Sequence, residues 1–218
     1  MRNCSALASL NMINKVIFLN AGHHLADPGI ITSYGREADF NIAVRNALIP
    51  ELDRQGFEVK AVPDNLPLRE SIDWVNNLAK NLDDGLALDI HCNCCALEGA
   101  EAYYYAGIDS SKRLAEKLVN EYSKEMSMPN REARPDTISA VGKLAWIGET
   151  NCWATLLEMG YLDNPNDVLK IKDYQKTAKA ITKGICKIFG IDYREATLPP
   201  AENREEIKNK IIELVKKL

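Results

Sequence analysis

The chain has 218 residues, of which 46% are hydrophobic and 27% charged, enough apolar mass for one sizeable core and too much for a disordered polymer. Its formal net charge of -4, with no long basic run, removes the electrostatic ground for nucleic-acid binding, and no apolar run approaches the roughly 20 residues that span a bilayer. Six cysteines in a chain this long do not make a disulfide framework and read as free thiols of a reducing compartment.

Residues 1–14 are mixed and polar, lack the apolar core of a secretory signal, and read as an N-terminal extension. Val16–Leu19 is the first predicted strand. Phe40, Val44, Ala47 and Leu48 recur at helical spacing, with Pro50 expected to end or kink that helix, and Gly56 breaks the chain before a strand over 57–62. Ile72, Val75, Leu78, Ala79 and Leu82 mark a second helix, and Leu86–Ile90 a further strand. Residues 102–105 are aromatic and strand-like; Leu114, Leu118, Val119 and Tyr122 then form a helix with Asp109 or Ser110 as its cap. Residues 126–142, with Pro129 and Pro135, read as a long loop. Ala154–Leu157 is a buried strand, and Tyr174, Ala178, Ile181, Ile185 and Phe189 line a helix that Gly190 stops. Alternating strands and helices predict an α/β domain over 15–190, with a twisted, largely parallel central sheet flanked by helices.

Residues 191–203 read as a linker containing Pro199-Pro200. Over 204–218, Ile207, Ile211, Leu214 and Leu218 give an amphipathic helix, with Asn203 and Glu206 as a capping pair. Two heptads make only a weak coiled coil, so this tail either docks on its own domain or mediates self-association.

Chemistry concentrates where predicted strands end. The chain has three histidines, and each follows a strand: Val16–Leu19 runs into His23-His24, and Leu86–Ile90 into His91. Strand Ala154–Leu157 runs into Glu158. Ligands of open α/β sheets gather at the carboxyl ends of strands. Two imidazoles and one carboxylate, with a fourth position open, are the donor set of catalytic zinc. Asp27, Glu37, Asp89 and Glu158 are the candidate carboxylates, and composition does not choose among them. Cys92-Asn93-Cys94-Cys95 carries Cys-x-x-Cys spacing, but no second cysteine pair is near and no helix opens there; small thiols lining a loop are the better reading.

With these motifs in view, the chain from about Val16 to Phe189 resembles the zinc-dependent N-acetylmuramoyl-L-alanine amidases of the type 3 family. Ala21-Gly22-His23 and Asp27-Pro28-Gly29 look like that family's first motif, and Glu37 stands where the family has a carboxylate ligand. Ile90-His91-Cys92-Asn93 is similar to its Ser-x-His-x-Asn segment. Residues 156–165, from Leu156 through Glu158-Met159-Gly160 to Asn164-Pro165, look like its Val-Glu-x-Gly-Phe-x-Ser-Asn signature, and residues 98–104 with Asn130-Arg131 also fit. The sequence departs from the pattern at Asn20-Ala21, at His24 and at Asp89, where the family has Asp-Pro, glycine and a small residue.

The resemblance implies Zn2+ held by His23, Glu37 and His91, with Glu158 as the catalytic carboxylate. It implies hydrolysis of the amide between N-acetylmuramic acid and L-alanine of peptidoglycan, without membrane insertion. With no signal visible, it further implies a phage endolysin kept in the host cytoplasm until released to the wall, or a bacterial autolysin exported otherwise. The competing expectations are a non-catalytic peptidoglycan-binding scaffold with this fold and a zinc hydrolase of another amide. Asp89, two residues before His91 on a strand, is expected on the same face as that histidine.

Overall fold

A computed structural model of the chain describes residues 15–23, 26–80 and 85–196, with Lys208, Ile212, Glu213, Val215 and Lys216 beyond them. The expected extension over 1–14, His24, the end of the linker and most of the tail helix, including Asn203 and Glu206, lie outside the described residues. Within the tail, the Lys216 N–H donates to the Ile212 carbonyl at 3.1 Å, the spacing of one helical turn.

In chain order the elements are β1 (Val16–Ala21), a short hairpin of β2 (Ile31–Thr32) and β3 (Gly35–Arg36), α1 (Glu37–Gln55), β4 (Glu58–Ala61), α2 (Leu68–Ala79), β5 (Gly85–Asn93), β6 (Ala100–Tyr104), α3 (Asp109–Met126), β7 (Asn130–Pro135), α4 (Ala145–Glu149), β8 (Trp153–Tyr161), α5 (Pro165–Ile171) and α6 (Tyr174–Phe189). Six strands form one sheet in the order β4-β1-β5-β8-β6-β7. All neighbours are parallel except β6 and β8, so the largely parallel α/β architecture expected from the sequence is present.

Alternation along the strands sorts the side chains into two layers. Ile17, Leu19, Leu86, Leu88, Ile90, Leu157 and Met159 pack against α1, α3 and α6 in the larger core. The intervening Val16, Phe18, Ala87, Ala154 and Leu156 pack against α2 and α4. The second cover is small: α2 has 12 residues and α4 only 5, against 19, 18 and 16 for the helices opposite. Past Phe18, Ala87 and Leu156 it gives out, and the next side chains of that parity are Asn20, Asp89, His91 and Glu158. They line an open cleft of about 660 Å³ together with residues of the α2 N-terminus and of the 139–146 segment.

The structure corrects three local expectations. Residues 126–142 are not a loop throughout, since β7 adds an edge strand there, and its closing Pro135 needs no donor at a sheet edge. Helix α1 runs on past Pro50 to Gln55; Asn46, whose carbonyl that proline leaves without a donor, is exposed along with it, so water can take the place of the lost N–H. Asp109 lies inside the first turn of α3, which carries no side-chain cap, and there its charge still favours the helix N-terminus.

Candidate active site

The site is assembled from β1, β5, β8 and the first turn of α1. Glu37 opens α1, is 1% exposed, and divides its carboxylate between two histidines. Its Oε2 lies 3.0 Å from His23 Nε2, and its Oε1 lies 2.9 Å from His91 Nδ1. Backbone donors hold it in place: the Ile30 N–H reaches Oε2 at 3.0 Å and the Cys92 N–H reaches Oε1 at 3.1 Å. The hairpin of β2 and β3 delivers the chain to this helix start.

Each histidine also meets a second carboxylate on its far nitrogen. His23 Nδ1 lies 2.8 Å from Asp27 Oδ2, and His91 Nε2 lies 3.2 Å from Asp89 Oδ2. Asn20, paired with Asp89 in the β1–β5 register, donates from Nδ2 to Asp89 Oδ1 at 2.8 Å. The candidate carboxylates therefore separate by position. Glu37 bridges the two rings, Asp27 and Asp89 back them, and Glu158 stands on β8 directly beside His91.

The donor set fits a metal ion. One atom from each of His23, Glu37 and His91 lies within 4.8 Å of the others, and no other such group occurs among the described residues. Tight backbone approach accompanies the cluster: a Cβ on Gly22 would meet His91 Nε2 at 2.1 Å, and one on Gly29, at φ +62, would meet His23 Cδ2 at 2.5 Å and Glu37 Oε2 at 2.6 Å. Glycine is the residue that supplies both the positive φ and the missing volume.

Electrostatics tell the same story. Burial works to lower both histidine pKa values, yet Glu37 with Asp27 holds His23 above its ordinary value and Asp89 with Glu37 holds His91 well above it. Burial works in turn to raise Glu37, and hydrogen bonds from the two rings pull it far below the carboxylate range. Without a cation, protons on the imidazoles supply the positive charge this cluster of acids demands.

Glu158 behaves oppositely. Burial first, then the nearby Glu37, Glu101 and Asp89 carboxylates, push its pKa up to about 8 against the pull of His91. Its Oε2 is buried with no hydrogen-bond partner. A carboxyl so placed has the environment in which proton-transferring groups are found.

The Cys-x-x-Cys segment does not converge on this site. Cys92 points to the larger core and its Sγ meets Asn41 Oδ1 at 3.7 Å, while Cys94 and Cys95 face each other at 3.4 Å on the loop beyond. Adjacent positions on a strand face opposite ways, which carries the cysteine at 92 away from the histidine at 91.

Sequence reasoning missed the role of Glu101 on β6. It is 3% exposed and gathers the Tyr103 hydroxyl, Asn93 Nδ2, Arg131 Nε and Arg134 Nε at 2.9 to 3.2 Å. Its alternation with Tyr103 on one strand face was the available signal. Asp167 was also missed: it is fully buried, and its Oδ2 accepts from the Gly99 and Tyr161 N–H groups at 2.9 Å each, joining the start of β6 to the end of β8.

Residues 17–187 match the Amidase_3 family model, described as N-acetylmuramoyl-L-alanine amidase. The chain belongs to this amidase family. Among relatives of the amidase chain is the Staphylococcus aureus protein named "Probable cell wall amidase LytH", 29% identical over 186 residues, which are 80% of this chain and 58% of that protein. The staphylococcal relatives are longer, the aligned parts covering 50% to 62% of their length. The catalytic domain of CwlV, an N-acetylmuramoyl-L-alanine amidase from Bacillus (Paenibacillus) polymyxa var. colistinus, superposes with a TM-score of 0.69 at 26% identity, covering 82% of this chain and 99% of that one. The CwlD amidase of Clostridioides difficile, solved with the GerS lipoprotein, shares the fold with a TM-score of 0.70 at 24% identity, covering 82% and 100%.

Proposed function

We propose that the protein hydrolyses the amide between N-acetylmuramic acid and L-alanine in peptidoglycan, with Zn2+ held by His23 Nε2, Glu37 and His91 Nδ1. The observation that carries this reading is the convergence of those three ligands with Glu158, on the neighbouring strand, at the rim of an open cleft. Membership of the amidase family supports the choice of bond.

A bound zinc ion supplies Lewis acidity toward the scissile carbonyl and an attacking water. Glu158 takes the proton of that water and returns it to the leaving amine of L-alanine. The burial that raises its pKa in the metal-free protein makes it a stronger base than an exposed carboxylate, and a neighbouring cation would keep its carboxylate form available. Asp27 and Asp89 fix the rings so that each presents one nitrogen toward Glu37, the usual service of outer carboxylates to metal-bound histidines. The face carrying Asn20, Asp89, His91, Glu158 and Tyr103 forms the floor of the cleft that receives the glycopeptide. We place the action at the wall, as an endolysin or an autolysin; no described helix is long and apolar enough to cross a membrane.

The test is mass spectrometry of purified peptidoglycan treated with zinc-loaded protein, with chelated protein, and with Glu158→Ala. Free stem peptides with an L-alanine amino terminus are expected only from the zinc-loaded wild type, while Glu158→Ala still binds one zinc. Equal release by Glu158→Ala removes the assigned base. Failure of the wild type to retain zinc removes the hydrolase and leaves a wall-binding scaffold.

A further inference from the structure

The face of the sheet that floors the cleft, where Tyr103 of β6 also lines it, continues past Glu158. On β8 that residue pairs directly with Glu101 of the antiparallel β6, and Tyr103, two residues on, pairs with Arg134 of β7. Directly paired residues share a face of the sheet, so metal site, Glu158, Glu101 and Arg134 form one polar strip across four strands.

Arg131 would not belong to that strip in a regular strand, because residues three apart face opposite ways. The register between β6 and β7 slips there: Ala100 pairs with Asn130, but Ala102 pairs with Ala133. One extra residue therefore bulges out of β7, and Glu132 takes a positive φ of 72° at that point. The consequence is that both arginines reach Glu101: Arg131 donates Nε to its Oε2 at 3.1 Å, and Arg134, whose Nε donates to the Arg131 carbonyl at 3.4 Å, makes an ion pair with the same Oε2 at 3.1 Å.

This arrangement leaves an excess of positive charge. Two guanidiniums share one buried carboxylate, neither has another acidic partner among the described residues, and both side chains stay partly open, at 24% and 34%. The Arg131 guanidinium is steadied over the Tyr161 ring, 5.4 Å from its centre. Both contacts to the buried acid are made through Nε, and a guanidinium so held keeps its terminal nitrogens as donors for a planar anion.

We propose that Arg131 and Arg134 form a subsite for a free carboxylate of the stem peptide, on the leaving-group side of the scissile amide. The inference rests on the amidase reading above. The lactyl carboxyl of muramic acid is consumed in the scissile amide, so the free carboxylates of the substrate near this bond belong to the peptide. The strands bearing Glu158 and Glu101 are one sheet spacing apart, about 4.8 Å, and an extended peptide advances about 3.5 Å per residue. The group that reaches the arginines is therefore on the second stem residue, where a γ-linked glutamate leaves its α-carboxylate free and its amidated form does not.

The experiment compares N-acetylmuramoyl-L-alanyl-D-isoglutamate with its D-isoglutamine counterpart, using the zinc-loaded full chain. Wild type is expected to favour the carboxylate about tenfold in kcat/KM, the low end for charge-assisted hydrogen bonds partly open to salt. In Arg134→Gln and, separately, Arg131→Gln that ratio falls toward one, and Arg134→Lys restores part of it. Each single variant leaves Glu101 one arginine, and calorimetric binding of L-alanyl-D-isoglutamate to Glu158→Gln, with and without the second substitution, reads the subsite apart from turnover. A wild-type ratio near one, or variants that weaken both substrates equally, overturns the subsite and leaves the amidase reading intact. Turnover of neither substrate by zinc-loaded wild type overturns the amidase reading and the subsite with it.

Discussion

Replacing Glu158 with Gln should abolish turnover and, at alkaline pH, make the metal-free protein more stable. A carboxyl that titrates near 8 in the folded protein and near 4.5 in the unfolded chain holds its proton more tightly when folded. Stability contributed by this group is therefore unaffected below pH 4.5, declines as pH rises toward 8, and is fully lost above it. At about 1.36 kcal/mol for each pH unit between the two values, the upper limit of the loss is about 5 kcal/mol. Only Oε2 is sealed from solvent, and the side chain borders the cleft, so roughly half of that, about 2 to 3 kcal/mol, is the expected size. Glutamine has no such titration; the histidines titrate in both proteins, with His91 losing the attraction of the Glu158 carboxylate in the variant. Urea denaturation of chelated wild type and Glu158→Gln at pH 5 and pH 9 gives the answer as a difference of differences. A wild-type-minus-variant gap that stays constant between those pH values would show that Glu158 is not desolvated, and the argument for it as proton carrier would fall.

Two further substitutions separate the proposed metal ligands from their support. Asp89→Asn keeps a partner for Asn20 but removes the charge facing His91 Nε2; zinc affinity, read by chelator competition, should drop about tenfold, with unchanged affinity ruling out a supporting role. Gly29→Ala places a methyl 2.5 Å from His23 Cδ2 and 2.6 Å from Glu37 Oε2 at a positive φ; it should cost about 1 to 2 kcal/mol from backbone strain alone and weaken zinc binding further by displacing both ligands, which thermal melts of the chelated and zinc-loaded protein would distinguish.

The convergence of His23 and His91 was legible in the sequence because its signal is simple: each follows an apolar run, and the runs are parallel strands whose carboxyl ends share one rim. The choice among four acids was not legible from spacing. Asp27 is four residues from His23 and Glu37 is fourteen away, yet the nearer acid backs the ring and the farther one bridges both rings. That assignment depends on a hairpin of two-residue strands turning the chain into α1, too short to leave a period. Strand β7 was hidden by its own bulge, since the extra residue at Glu132 breaks the alternation by which strands are recognised. The cysteine segment offered a familiar spacing that the sequence reading set aside, and the pleat indeed carries Cys92 into the core, away from His91.

The two layers of the sheet explain why chemistry settles on one face. Opposite α1, α3 and α6, every inward position along β1, β5 and β8 is filled to the rim by Leu19, Ile90 and Met159, which are fully buried. On the other face the thinner cover of α2 and α4 ends below the rim, and an apolar side chain there would be left against water. Polar residues at those positions cost little in stability, because each finds a partner on the same face: Asn20 with Asp89, Asp89 with His91, Glu101 with two arginines. Glu158 is the exception, with one oxygen buried and unpartnered, which suits the proton transfer proposed for it because a carboxyl that accepts and releases a proton cannot be held by fixed donors. A strip that is satisfied everywhere except at its centre concentrates reactivity at that one carboxyl, between a cradle for a cation and a cluster of spare positive charge.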